Sequence, residues 1–121
     1  MDKKLQIINP IASKHKTASL YCVIEKGCKT QCKIGVTVDP VKRIASLQAG
    51  NKRKLSFAWL IEGIIRSDCF DTERYLLDRF GFYFYGHSKR KQLESEWVDA
   101  TPSEARYVAD YYLDILIEEA S

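Results

Sequence analysis

No apolar run in this 121-residue chain approaches the ~20 residues that a bilayer-spanning helix needs. The opening Met1-Asp2-Lys3-Lys4-Leu5 has no long hydrophobic segment of the kind that directs secretion. Both absences point to a cytoplasmic protein without a membrane partner. Histidine is scarce, and His15 and His87 stand far apart. The four cysteines, Cys22, Cys28, Cys32 and Cys69, therefore have no second Cys/His pair at zinc spacing. Cys28 and Cys32 flank a short loop, so a bridge or a two-cysteine metal corner is conceivable there. Free thiols suit the expected compartment better, and no disulfide-linked partner is expected. The sequence holds no internal repeat, low-complexity tract or linker, which makes residues 1–121 a single domain of ordinary size. Its oligomeric state is not legible.

Hydrophobic residues make up 45% of the chain and aromatics 12%, enough to build a core and exclude a disordered chain. The formal net charge of +3 hides a strong asymmetry. Residues 1–91 carry 18 Lys and Arg against 8 Asp and Glu, giving +10. Residues 92–121 carry Arg106 alone against eight acids, giving −7. A basic body with an acidic tail suggests a polyanionic partner for the body. The plain alternative is a mixed-charge surface that serves solubility.

Residues 1–16 read as a basic N-terminal arm with one apolar patch, Leu5-Gln6-Ile7-Ile8. Thr17 to Glu25 is rich in β-favouring residues and predicts a strand; Gln31 to Val38 predicts its antiparallel return across a polar turn. Asp39-Pro40 is a helix-start signal, with Asp39 as the cap and Pro40 at the first helical position. Val41, Ile44, Leu47 and Gln48 then follow at helical spacing to about Ala49. Lys54 to Glu62 predicts a third strand with Leu55, Phe57, Trp59 and Ile61 on one face. A second helix is expected from about Cys69 to Phe80, and a short closing strand or anchored turn at Glu96-Trp97-Val98-Asp99. Thr101-Pro102-Ser103-Glu104 is a capping box, opening an amphipathic helix over 101–120 with an acidic outer face. The expected class is α+β: a small antiparallel three-stranded sheet flanked by helices, a ββαβα core over 17–99, plus a C-terminal amphipathic helix.

Several side chains invite a chemical reading. Glu73 shares a helical face with Phe70, Leu77 and Phe80, at −3, +4 and +7. A carboxylate on an apolar stripe must be paired, protonated or holding a metal, because burying an unpaired charge is costly. An ion pair with a buried arginine is the plain alternative. Arg43 lies one turn before Leu47 and is either a surface arginine, a partner for Glu73 or an anion ligand. Tyr21 sits among apolar strand residues as core or as a functional hydroxyl. Lys33 opens the second strand as an edge lysine or a functional amine. Gly35 inside a strand marks a bulge or a close approach of something to the backbone. Three basic clusters fall in the arm or in loops: Lys14 with Lys16; Lys52, Arg53 and Lys54; and Lys89, Arg90 and Lys91. Each can meet phosphates, and Tyr83, Tyr85 and His87 just before the third could stack on bases.

In their order, Leu20-Tyr21, Lys33-Ile34-Gly35, Arg43 and Glu73 resemble the motifs of the GIY-YIG endonuclease superfamily, in particular its small phage-type branch with a Lys-Ile-Gly second motif. Glu96-Trp97 resembles the ending of that branch, and the resemblance spans about residues 19–99. It implies a DNA-binding, metal-dependent endonuclease that hydrolyses phosphodiester bonds with one Mg2+ or Mn2+. In that scheme Glu73 binds the metal, Tyr21 and Lys33 position or deprotonate the attacking water, and Arg43 stabilises negative charge in the transition state. Two alternatives stay open. One is a catalytically inactive DNA-binding module; the other is a viral protein-interaction or inhibitor domain that uses the acidic last helix.

Overall fold

The computed structural model describes residues 16–80 and 97–120. Within them the chain forms strand β1 (Thr17–Glu25), strand β2 (Cys32–Thr37), helix α1 (Pro40–Ala49), strand β3 (Leu55–Ile65), helix α2 (Arg66–Phe80), strand β4 (Trp97–Val98) and helix α3 (Pro102–Ala120). The class is α+β, as expected. The sheet has four antiparallel strands in the order β3-β1-β2-β4, one more than the three-stranded expectation. The addition is β4, whose two residues pair Val98 with Cys32 and Trp97 with Lys33. It is the strand form of the closing strand or anchored turn expected there, added to the edge of the three-stranded core.

Strand alternation divides the core between two faces. On one face Leu20, Cys22, Cys32 and Ile34 pack with Cys69 and Leu76 of α2 and with Ala105, Ala109 and Leu113 of α3. On the other, Tyr21 and Val23 pack with Leu55 and the half-buried Ile44 and Leu47 of α1. Helix α1 contributes no fully buried residue, and Val41 is exposed despite its helical spacing.

The expectation that Leu55, Phe57, Trp59 and Ile61 share a face is corrected by a bulge. Cys22 pairs with Trp59 and Val23 with Phe57, so Ala58 is an extra residue that switches the parity of the strand. Leu55 and Phe57 consequently join Tyr21, while Trp59 and Ile61 join the opposite face. A second register shift lies between Ala18 and Leu20, opposite Gly63 at φ +74°. It returns Ile64 to the face of Ile61.

Helix α2 also differs from expectation. It starts at Arg66, and its buried residues are Cys69, Thr72 and Leu76. Phe70 is 51% exposed, and Leu77 and Phe80 are only partly buried. The inward stripe is thus rotated from the one expected, which places Glu73 at its margin, half-buried. Tyr75 stacks on Tyr112 of α3 with centroids 4.3 Å apart, joining the two helices.

All four cysteines are free thiols, and no Cys28–Cys32 corner forms. Cys32 is fully buried, its thiol directed to the Ala100 carbonyl at 3.5 Å, whereas Cys28 bonds within its own turn to Gln31. A hydrogen bond to Cys32, with burial adding to it, raises the Cys22 thiol far above its ordinary range.

The capping box at α3 forms as its sequence predicts. The Thr101 N–H donates to Glu104 Oε1 at 2.9 Å, and the Glu104 N–H donates to Thr101 Oγ1 at 3.1 Å. The Thr101 backbone bond, then its side-chain bond, hold the Glu104 carboxyl below its ordinary value. A carboxyl depressed by folding stabilises the fold above its unfolded pKa, and that contribution is lost as pH falls through the lower folded value. Thr101→Ala removes the acceptor of the Glu104 N–H and, as the loss of a helix cap, is expected to cost about 1 kcal/mol at neutral pH, read from the denaturant midpoint. The difference from wild type should shrink in acid, where Glu104 is protonated in both proteins.

Candidate nucleic-acid interface

Tyr21 of β1 lies directly across the sheet from Gly35 of β2. Its ring lies over that glycine: a Cβ built on Gly35 would stand 2.7 Å from Tyr21 Cε2, and closer still to Cζ and the hydroxyl oxygen. Only glycine leaves room for this contact, which is the close approach suggested by a glycine inside a strand. Phe57 meets the Tyr21 ring edge-on, at 6.0 Å between centroids. The tyrosine is fully buried, and its hydroxyl accepts the Arg43 Nε–H at 3.2 Å. Arg43 itself sits half-buried in the first turn of α1, where Asp39 caps the helix by accepting the Lys42 N–H at 3.1 Å. The strand pair, the glycine and the capped helix together fix the plane of one guanidinium.

Lys33 lies two residues before Gly35 on β2, hence on the same sheet face. It is 9% exposed, with its ammonium 5.9 Å from the centre of the Trp97 ring on neighbouring β4. The low exposure and the aromatic partner make it something other than the solvated edge lysine that was one reading of the sequence. Glu73 is supplied by α2, the helix that packs on the opposite face. Burial, and then the charges of Asp68 and Glu73, push the Cys69 thiol up to about 12. Of the four expected catalytic residues, then, Tyr21 and Arg43 are bonded directly, Lys33 shares their sheet face, and Glu73 comes from the other layer.

Among the described residues, no three His, Cys, Asp or Glu side chains gather closely enough to hold a metal ion. Magnesium keeps several waters and commonly takes only one or two carboxylates plus substrate phosphates. The half-buried Glu73 is a carboxylate of the kind such an ion takes, and it already interacts within the fold.

Lys52, Arg53 and Lys54 are exposed on the loop between α1 and β3. Lys16 is exposed at the start of β1, where its carbonyl accepts the Arg66 N–H at 2.9 Å. Lys14, Lys89, Arg90 and Lys91, with Tyr83, Tyr85 and His87, lie outside the described residues. The sequence reading missed the role of Gln48, whose side chain bonds the 51–55 segment. The available signal was a polar residue at the inward spacing of an otherwise apolar helix.

These features define a small α+β domain with a tyrosine-oriented guanidinium and a near-buried lysine on one sheet face, and a basic loop leaving the same helix as the guanidinium. A family model, the T5orf172 domain, matches residues 18–112, and the chain belongs to that family. No curated protein and no solved structure matches it. The match corrects the GIY-YIG assignment drawn from the motifs. The departures were visible in the residues: Leu20 precedes Tyr21 where the first motif has Gly-Ile, Lys33 replaces the tyrosine of the second motif, and Leu77 stands where a histidine often follows the glutamate. Two strands followed by a capped helix can bring a tyrosine, a glycine and an arginine together in more than one family, so the order of such residues is a weak family marker.

Proposed function

We propose that this domain binds DNA through its phosphates and hydrolyses phosphodiester bonds with the help of a divalent ion, Mg2+ or Mn2+. The observation that carries the reading is the Tyr21–Gly35–Arg43 unit: a glycine is spent so that a buried tyrosine can orient a guanidinium at the margin of the fold. A planar, permanently charged fork held in one orientation suits a phosphate, and it suits still better the added negative charge of a phosphorane-like transition state. Because its hydroxyl is committed to Arg43 and its side chain is fully buried, Tyr21 serves as a positioning residue in this scheme, a narrower role than preparing water. Lys33 is the amine on that face which, in this scheme, positions the attacking water, its low exposure and the Trp97 ring limiting where the ammonium can go. Glu73 would hold the ion, which when bound would supply neutralisation of a phosphate oxygen and support for the leaving oxygen; the scheme requires a substrate that reaches both the Arg43 face and the margin of α2 where Glu73 lies.

Binding without hydrolysis is the second reading. It is favoured by the complete burial of Tyr21, which keeps that hydroxyl from water.

Two outcomes are expected. Affinity for duplex DNA should fall roughly tenfold or more for a few-fold rise in salt, as counterion release requires when several phosphates are contacted. Binding that is absent, or indifferent to salt in an anisotropy titration, would remove the nucleic-acid reading. Tyr21→Phe deletes one hydroxyl and the bond it accepts from a charged donor, worth about 1.5–3 kcal/mol. Cleavage by the folded variant should drop roughly 10- to 100-fold, with the melting temperature lowered by the loss of the same bond. Wild-type activity in that variant would return Tyr21 to a packing role.

A further inference from the structure

The loop that joins α1 to β3 carries three consecutive cations, Lys52, Arg53 and Lys54, all exposed. Like charges in so short a segment repel one another, and a turn left to itself would be mobile. This one is tied down by side-chain and backbone bonds at residues 51, 53, 54 and 55. Gln48, near the end of α1, accepts the Leu55 N–H at 2.8 Å and donates to the carbonyls of Asn51 and Arg53 at 3.2 and 2.9 Å. Asn51 accepts the Arg53 N–H at 2.9 Å and donates to Glu25 at 3.2 Å, while the Lys26 N–H reaches the Lys54 carbonyl at 2.8 Å. Leu55, the next residue, is anchored in the core beside Tyr21.

This bonding has a directional consequence. The carbonyls of residues 51, 53 and 54 all accept bonds from the protein, so their negative ends are turned inward. The cationic side chains are what the turn presents to solvent. Such a surface is selective for an anion, and its loop entropy is already spent before the anion arrives. Gln48 also lies five residues after Arg43 on one helix, about 7.5 Å along its axis. Arg43 and the basic turn are therefore held to one rigid element.

We propose that residues 51–54 form a pre-organised clamp for the phosphates of a nucleic-acid strand, with Gln48 as its positioning residue. The proposal rests on the DNA-binding reading given above and adds to it that the rigidity of the turn, as well as its charge, sets affinity. The test compares wild type, Gln48→Ala, and the triple variant Lys52→Ala, Arg53→Ala, Lys54→Ala on one short DNA duplex across a salt series, with amide hydrogen exchange at Arg53 and Leu55 in the absence of DNA. Gln48→Ala should speed exchange at both amides and weaken binding about 3- to 10-fold at every salt concentration, leaving the salt slope unchanged because no charge is removed. The triple variant should weaken binding and flatten the slope. If Gln48→Ala fails to fold, Asn51→Ala loosens the same turn without touching the Leu55 amide and must give the same result. Unchanged affinity with a mobile turn would overturn the clamp. So would a triple variant that binds like wild type, in which case DNA binding itself survives. If wild type does not bind DNA, the proposed function and the clamp fall together.

Discussion

Gly35→Ala is expected to destabilise the domain by about 3 kcal/mol or more, with the melting temperature falling by roughly 10 °C or more. The added methyl group would overlap the Tyr21 phenol at its hydroxyl, Cζ and Cε2. The ring cannot retreat, because it is fully buried, meets Phe57 edge-on and is held by Arg43 at its far end. Either the ring leaves its rotamer or β1 and β2 separate, and both disturb the second core cluster of Tyr21, Val23 and Leu55. A loss of that size is a large share of the ~5–15 kcal/mol that a domain of this size possesses. The cause can be isolated by a second substitution: Tyr21→Ala in the Gly35→Ala background removes the obstacle, so the two effects should be strongly non-additive. Calorimetric melting of the four proteins checks this. A Gly35→Ala protein that melts like wild type would mean that the ring has other room.

The same contact shows how far the sequence could be read. A glycine inside a strand announced that something approaches the backbone, but not that the visitor is Tyr21. The identity follows from the Tyr21–Gly35 register, which the turn between the strands sets. The boundaries of β1 and α1 and the capped start of α3 were legible because each rests on local chemistry: β-favouring residues, Asp39-Pro40, and the Thr101–Glu104 box. What escaped depends on partners distant in sequence. The bulge at Ala58 exists because β3 must supply Leu55 and Phe57 to one layer and Trp59 and Ile61 to the other. The two-residue β4 was legible as either a closing strand or an anchored turn, and its pairing with Cys32 and Lys33 makes it the strand. The inward face of α2 was assigned from large side chains, Phe70 above all, whereas the small Cys69 and Thr72 fit beneath the helix. Gln48 was legible only as an oddity, since its three partners are loop backbone groups.

Glu73→Gln bears on chemistry as Gly35→Ala bears on folding, and it carries the largest expected effect on activity. Glu73 lies half-buried at the edge of the α2 stripe, its charge close enough to contribute to the raised Cys69 pKa. A glutamine of the same shape keeps the packing and removes the charge that would hold a divalent ion. On the proposed reading DNA binding through Arg43 and the cations of the 51–54 turn should persist, and a melting curve of the variant checks that it is folded. Loss of activity with binding intact would then identify a missing ion rather than a missing fold. The decisive measurement is cleavage or nicking of plasmid and linear DNA by wild type and Glu73→Gln, with magnesium or manganese and with the ion chelated. The account predicts ion-dependent cleavage by wild type and none by Glu73→Gln. Wild-type protein that binds these substrates but never cuts them, or a Glu73→Gln protein as active as its parent, would contradict it.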